Sequence, residues 1–238
     1  MVDAFAPMPE DWSRALAVLA HPDDMEFGAA SAVAHWTASG RTVAYLLACR
    51  GEAGIDGMDP LLAADVREAE QRKSAAVVGV ASVEFLDHAD GVIEYGVPLR
   101  RAIAAAIRRH RPDLVITFNH HDRYISGRFN SPDHRNVGRA AIDAVGDAAN
   151  RWIFRDLELE PWSGVKYLAV VNSPQASHAV DVSDSLDRGI ASLQEHRAYL
   201  DGLNRPDVDV PAAFTAIANE TGTRFGGRPA VAFELVSC

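Results

Sequence analysis

Two short segments of the chain carry residue types that bind metal ions, and the first follows a buried strand. It is the run His21-Pro22-Asp23-Asp24, which comes directly after the apolar segment 16–19. Open α/β sheets build their sites at the carboxyl ends of strands. Pro22 fixes its own φ and disfavours helix at His21, so that His21 and Asp24 can turn onto one ion. Taken alone, the run also fits a common strand-to-helix loop in which Asp23 or Asp24 caps the helix.

The second segment, Asn130-Ser131-Pro132-Asp133-His134, follows another apolar strand candidate at 114–117. In a doubly wound sheet the first and fourth strands flank the switch point, where ligands bind. His21, Asp24 and His134 would then form a two-histidine, one-carboxylate set with a coordination position left for water, as in catalytic zinc sites. Nitrogen and oxygen ligands without thiolate favour one Zn²⁺ ion, and they also suit Fe²⁺, Co²⁺ or Mn²⁺.

The first segment closely resembles the leading motif of the LmbE-like, or PIG-L-like, zinc-dependent N-acetylglucosamine deacetylases. Further stretches match that family in the same order, from about residue 14 to residue 199: 67–70, 85–91, 132–135, and 180–183 together with His196. The resemblance implies a Rossmann-like α/β fold. It also implies a metal-dependent amidohydrolase that removes an N-acetyl group from an N-acetylglucosamine-type conjugate.

The resemblance also assigns roles to residues. It implies that His21, Asp24 and His134 hold the zinc ion and that Asp23 is the general base. Zinc lowers the pKa of a bound water towards ~7, so Asp23 could accept a proton while that water attacks an amide carbonyl. The products would be acetate, or another small acid, and a free amine.

Four other residues are expected around these. By the same resemblance, Arg67 and Asp90 would lie near the sugar, although Arg67 could instead pair with a glutamate on its own helix surface. Asp133 would orient His134 or another ligand from outside the coordination sphere, and Glu26 could support the ion in the same way. Both acids equally suit the first turn of a helix.

The chain departs from the family at two positions. Many members carry a histidine where this chain has Ser131, and often a tyrosine where it has Phe129. Those positions commonly supply an oxyanion donor or a general acid. We expect His120, His121 or Tyr124, in the loop after the fourth strand, to substitute, and the two histidines at the strand exit are the expected catalytic residues. A weaker hydrogen bond from Asn130 or Ser131 to the substrate is one alternative. A retained metal with a slow or different reaction is the other.

Two other functions stay open at this point. The protein could be a binding or regulatory protein that keeps the metal with little catalysis. It could also be a deacylase of a non-sugar natural-product amide. In each case the partner is a small molecule.

Composition excludes several classes of partner. The formal net charge is −10 and is spread along the chain, so nucleic acid and anionic membrane surfaces are poor candidates. No apolar run approaches the ~20 residues of a membrane helix, and we expect no secretory signal.

The two cysteines, Cys49 and Cys238, lack metal-type spacing and suit free thiols in a reducing cytoplasm. A homo-oligomer is left open.

Strand and helix patterns alternate along the chain, which predicts a mainly parallel sheet with helices on both faces. We expect a single domain over residues 1–238, with 150–238 as an added portion of the same domain. A helix is expected from an N-cap at Ser183 to Leu200, and an added edge strand at 231–236. The other expected strands are 16–19, 42–48, 83–86, 114–117, 167–171 and 179–182, and the other expected helices are 28–39, 61–78, 98–109 and 137–149.

Overall fold

A computed structural model describes residues 4–204 and 208–238 of the chain. Within them, eight strands form one sheet. The strands are β1 Ala6–Pro7, β2 Arg14–Leu19, β3 Thr42–Leu47, β4 Ser82–Phe85, β5 Leu114–Phe118, β6 Tyr167–Val171, β7 His178–Asp181 and β8 Ala230–Ser237.

Helices connect most of these strands. They are α1 Asp24–Gly28, α2 Ala30–Ala38, α3 Pro60–Val77, α4 Val97–His110, α5 Pro132–Ala149, α6 Leu186–Gln194, α7 Arg197–Gly202 and α8 Val210–Gly222, with one 3₁₀ turn at Arg155–Leu157. None of the helices in the described part of the chain has the length and apolar character needed to cross a membrane.

The sheet is mostly parallel, as predicted. Its strand order is β1-β7-β8-β6-β5-β2-β3-β4, and only β8 runs antiparallel to its two neighbours. The order reverses at β2, which pairs in parallel with both β3 and β5. The carboxyl ends of β2 and β5 therefore lie side by side, and the loops after them share one crevice.

The sheet is covered by helices on both faces, which explains the continuous apolar runs of its strands. Along β2, Ala17 and Leu19 pack into the core beneath α2 and α3. Leu16 and Val18 point the opposite way, into the core beneath α4 and α5. The Rossmann-like α/β fold class predicted from the sequence is confirmed.

Three local predictions were wrong. The helix expected from Ser183 to Leu200 begins later, at Leu186, because Ser183 bonds back to Asp181 and does not cap it. It is also divided into two helices at His196, which has non-helical backbone angles (φ −80°, ψ 53°). Strand β8 lies inside the sheet, between β7 and β6, and not at an edge. The helix expected at 28–39 is also broken, at Ala29, where the backbone has φ −149° and ψ 20°.

Candidate metal centre

The structure brings together the side chains of His21, Asp24 and His134. His21 lies two residues after the end of β2, Asp24 opens α1, and His134 lies in the first turn of α5. One ligand atom from each lies within 4.8 Å of the other two. The residues are 113 positions apart at the extremes, and the parallel pairing of β2 with β5 is what joins them.

The two nitrogens of His21 face different groups. Its Nε2 lies 3.1 Å from a carboxylate oxygen of Asp90 and 3.2 Å from one of Asp133, so this nitrogen carries the proton. Asp133 itself is fixed by the backbone N–H groups of Gly91 (2.7 Å) and Ile93 (3.0 Å). The Nδ1 lone pair of His21 is thereby left to face His134, with 3.2 Å between the nitrogens. Burial lowers the pKa of His21, but Asp133, Asp24 and Asp90 outweigh burial and raise it well above its usual value, so a proton competes with a metal ion for Nδ1.

The tautomer of His134 is fixed by a neighbouring amide. Asn130 Nδ2 donates to the carbonyls of Asn119 (2.6 Å) and His121 (3.0 Å), so its Oδ1 must accept. This oxygen lies 3.0 Å from His134 Nδ1, which therefore carries a proton. The Tyr124 hydroxyl lies 2.9 Å from the same nitrogen. The lone pair of His134 Nε2 consequently points at Asp24, 3.0 Å away.

These contacts fit a divalent cation. Asp24 is held by the backbone N–H groups of Ala20 and His21, which donate to its Oδ2 at 2.9 and 3.0 Å. Its Oδ1 then faces His134 Nε2 at 3.0 Å and His21 Nδ1 at 3.8 Å. Three acceptor atoms at these distances repel one another unless a proton or a metal cation lies among them. Two ligands of a tetrahedral ion, each about 2.0–2.1 Å from it, lie ~3.3 Å apart, which matches these separations.

Asp23 lies beside the donors in a strained backbone conformation. Its φ is +89° and its ψ −17°, in the left-handed region that is unusual for a residue with a Cβ. The residue is only 5% exposed, and its carboxylate accepts a hydrogen bond from Arg67 at 3.2 Å. Burial raises the pKa of Asp23 to about 6, with Arg67 opposing and Asp24 adding to that shift.

Arg67 is buried and does not pair with a glutamate on its helix surface. Besides Asp23, its guanidinium donates to the carbonyls of Gly51 (2.8 Å) and Pro22 (2.6 Å). Its Cζ lies 4.1 Å from the ring centroid of Tyr199. The structure therefore places Arg67 behind Asp23, where it holds the carboxylate and the 50–51 turn.

The other expected residues take the following positions. Asp90 bonds His21 and also accepts from Ala53 N at 2.9 Å. Ser131 is the N-cap of α5, since its Oγ accepts from Asp133 N. Glu26 lies away from the donors and bonds the side chains of Gln71 and Ser74.

The structure does not bring His120 or His121 to the donors, contrary to the expected catalytic role. His121 Nε2 pairs with Glu234 of β8 at 2.7 Å. His120 lines a cavity of about 450 Å³ between α5 and strands β6 and β8. Neither histidine makes a hydrogen bond or ion pair with His21, Asp24 or His134 among the described contacts. The loop after β5 turns both of them towards β8, and it is Tyr124 that it places beside His134.

Sequence reasoning missed two residues around Asp23. Gln71 of α3 accepts from the Asp23 backbone N–H at 2.9 Å. Tyr199 of α7 covers Arg67, and burial, followed by the Asp23 charge, raises the pKa of its hydroxyl. Gln71 lies four positions after Arg67, and this helical spacing was the available signal. For Tyr199 no local pattern existed.

Fold and site together define a class: a Rossmann-like α/β protein with candidate metal donors at the switch point of its sheet. The chain belongs to the PIG-L family, because the family model described as GlcNAc-PI de-N-acetylase matches residues 16–145, more than half of the chain. The matched stretch includes His21, Asp24 and His134.

Two characterised relatives are similar in sequence. A diacetylchitobiose deacetylase from Thermococcus kodakarensis is 29% identical over 196 residues, which cover 79% of this chain and 70% of the relative. A 1D-myo-inositol 2-acetamido-2-deoxy-alpha-D-glucopyranoside deacetylase from Rhodococcus erythropolis is 28% identical, over 76% of this chain and 66% of the relative.

One solved structure shows the same fold. It is N,N'-diacetylchitobiose deacetylase from Pyrococcus horikoshii in complex with an inhibitor, with a TM-score of 0.84 and 23% sequence identity. The alignment covers 95% of this chain and 84% of that one.

Proposed function

We propose that the protein is a metal-dependent N-deacetylase that releases acetate and a free amine from an N-acetylglucosamine-type conjugate. The observation that carries this proposal is the convergence of three potential ligand atoms, on His21, Asp24 and His134, beside the buried carboxylate of Asp23. The activities of the two named relatives support the choice of an N-acetyl amino sugar as substrate.

His21, Asp24 and His134 would hold one divalent ion. When bound, a Zn²⁺ ion supplies a Lewis acid that polarises the amide carbonyl and acidifies water, and Fe²⁺, Co²⁺ or Mn²⁺ also suit these ligands. Asp133 and Asp90 keep the proton of His21 on Nε2, which leaves Nδ1 free as a ligand.

Asp23 is the proposed general base. It accepts a proton from the attacking water on its carboxylate and returns it to the amine as the C–N bond breaks. Arg67 holds this carboxylate at 3.2 Å and keeps it from turning towards its own helix. Asp90 and Ser131 are proposed sugar contacts, since both residues are partly exposed beside the donors.

Tyr124 is the proposed hydrogen-bond donor to the carbonyl oxygen of the reacting amide. Phe129, at the position where the family often has a tyrosine, is 73% exposed and lies beneath Arg123. Ser131 is occupied as a helix cap. His134 Nδ1 carries a hydrogen, so the Tyr124 oxygen can only act as an acceptor towards this nitrogen. The hydrogen of the Tyr124 hydroxyl is therefore free to be donated to the substrate.

The experiment is a primary-amine release assay on N-acetylglucosamine, N,N'-diacetylchitobiose and an N-acetylglucosaminyl inositol. We expect release from at least one of them, a loss of about 10²–10⁴-fold in Asp23→Asn with metal content unchanged, and a loss of about 10²-fold in kcat for Tyr124→Phe. Tyr95→Phe, which removes a hydroxyl at the exposed contact with Asp143, is the matched control.

Two results would count against the proposal. Release of amine at wild-type rate by Asp23→Asn would remove Asp23 from the mechanism. Metal binding without release from any sugar would favour a binding protein or a deacylase of a non-sugar amide.

A further inference from the structure

Asp23 occupies the N-cap position of α1 without using its side chain as a cap. Its carboxylate makes no hydrogen bond to the backbone of α1. An N-cap aspartate normally has extended backbone angles and accepts from the second or third N–H of its helix. The left-handed φ of +89° turns this carboxylate away from α1 and towards Arg67.

Gln71 of α3 holds that turn from the other side. Its Oε1 accepts from the backbone N–H of Asp23 at 2.9 Å, and its Nε2 donates to Glu26 at 2.9 Å. Asp23 and Glu26 are the N-cap and third residues of α1, the two positions that bond each other directly in a capping box. Here the amide of Gln71 is inserted between them, and Asp23 is turned out of the capping geometry.

The inserted amide is buried and its orientation is fixed. Gln71 is 0% exposed, so neither of its bonds can be replaced by water. Glu26 also accepts from Ser74 Oγ at 2.6 Å and lies 3.6 Å from the buried His196. Because this carboxylate can only accept, it fixes which end of the amide faces Asp23.

We propose that Gln71 is a positioning residue that keeps Asp23 in its left-handed conformation, with the carboxylate directed at the reacting water and not at its own helix. The inference rests on the proposed deacetylase activity for its kinetic test. It does not rest on that activity for its structural test.

The kinetic test uses Gln71→Met, which keeps the length of the side chain and removes both hydrogen bonds. We expect kcat to fall by about 10–100-fold, because small displacements of a reacting group have effects of this size, while KM and metal content stay unchanged. Gln194→Met, the same substitution at an exposed position of α6, is the control. If Gln71→Met does not fold, Gln71→Asn retains an amide that is too short to reach both partners, and the same kinetic change is expected.

A double-mutant cycle separates positioning from general destabilisation. If Gln71 acts through Asp23, adding Gln71→Met to Asp23→Ala leaves the residual kcat of Asp23→Ala unchanged. A further loss of the same size as in the wild-type background would overturn the proposal. An unchanged kcat in Gln71→Met itself would also overturn it.

The structural test needs no substrate. In a crystal structure of Gln71→Met we expect Asp23 to adopt a negative φ and its carboxylate to cap α1. Retention of φ near +89° with the carboxylate still on Arg67 would refute the role of Gln71. An inactive wild-type protein would contradict the proposed function alone and would leave this structural comparison decisive for Gln71.

Discussion

Proton positions explain why His21, Asp24 and His134 form a site for a cation. The carboxylates of Asp90 and Asp133 fix the proton of His21 on Nε2, and Asn130 fixes the proton of His134 on Nδ1. His21 Nδ1, His134 Nε2 and Asp24 Oδ1 then face one another, and the distances between these three atoms are 3.0–3.8 Å. Metal ions and protons compete for such ligands.

The left-handed backbone conformation of Asp23 should lower the free energy of unfolding, and two substitutions at this position measure that effect. Asp23→Ala and Asp23→Gly lose the same carboxylate, but only glycine adopts φ +89° without a steric cost. We expect Asp23→Gly to have the larger free energy of unfolding, by about 1 kcal/mol, in denaturant titrations. The same two substitutions at Asp65, an exposed position within a helix, are the control. There we expect the alanine variant to have the larger free energy of unfolding, by about 1 kcal/mol, because glycine disfavours helix. The same order at both positions would contradict the assigned backbone strain.

The residues that the sequence predicted and those that it missed differ in a physical way. His21, Asp24 and His134 could be predicted because each lies in a short motif, and both motifs belong to the connection between an apolar strand and the following helix. Tyr199 could not be predicted, since its role depends on how α7 packs against α3. For Gln71 the signal was its helical spacing from Arg67, which does not reveal that its amide reaches the loop after β2. His120 and His121 have suitable chemistry, but the direction of a loop side chain is not encoded in local spacing.

At the scale of elements, strand–helix alternation was sufficient to predict the sheet and its switch point. It was insufficient at the C-terminal part of the chain. Helix α8 begins at Val210 within a proline- and glycine-rich stretch, because Asp209 caps it and Pro211 occupies its first turn, where proline is tolerated. Strand β8 inserts between β7 and β6, a position that depends on long-range pairing and not on its own pattern.

An ion-pair cluster joins the edge strand β4 to the end of α4. Glu84 accepts from Arg109 and His110. Burial raises the pKa of Glu84, but these two partners outweigh it and the pKa is lowered. A lowered folded-state pKa gives stability that is present above the unfolded pKa of ~4.3 and is lost as the pH falls through the folded value.

We therefore expect Glu84→Gln to be less stable than the wild type at pH 7, by at most about 1 kcal/mol because the pair is partly exposed. The difference should shrink as the pH is lowered below ~4.3. Free energies of unfolding measured from pH 3 to pH 7 check this, with Glu94→Gln at an exposed position as the control. A difference that is constant with pH would show that the pair does not act through its charge.

At the scale of the whole molecule, two parts of the chain build one site. The stretch that matches the family, 16–145, contains the candidate metal donors and Asp23. The remainder completes the sheet with β6, β7 and β8 and packs α6 and α7 against α3. From this part Tyr199 covers Arg67, and His196 lies beside Glu26. We infer that the segment after residue 145 is required to hold Asp23 in place.

Calorimetric titration of metal-free protein with Zn²⁺ shows whether His21, Asp24 and His134 form a site for one divalent ion. We predict one ion per chain for the wild type. We predict an affinity at least about 100-fold weaker for His134→Ala, a larger loss than substitution of an outer-sphere partner causes. His178→Ala, on strand β7, should bind like the wild type. Absence of Zn²⁺ binding by the wild type, or an equal affinity in His134→Ala, would show that these three residues do not form a metal site.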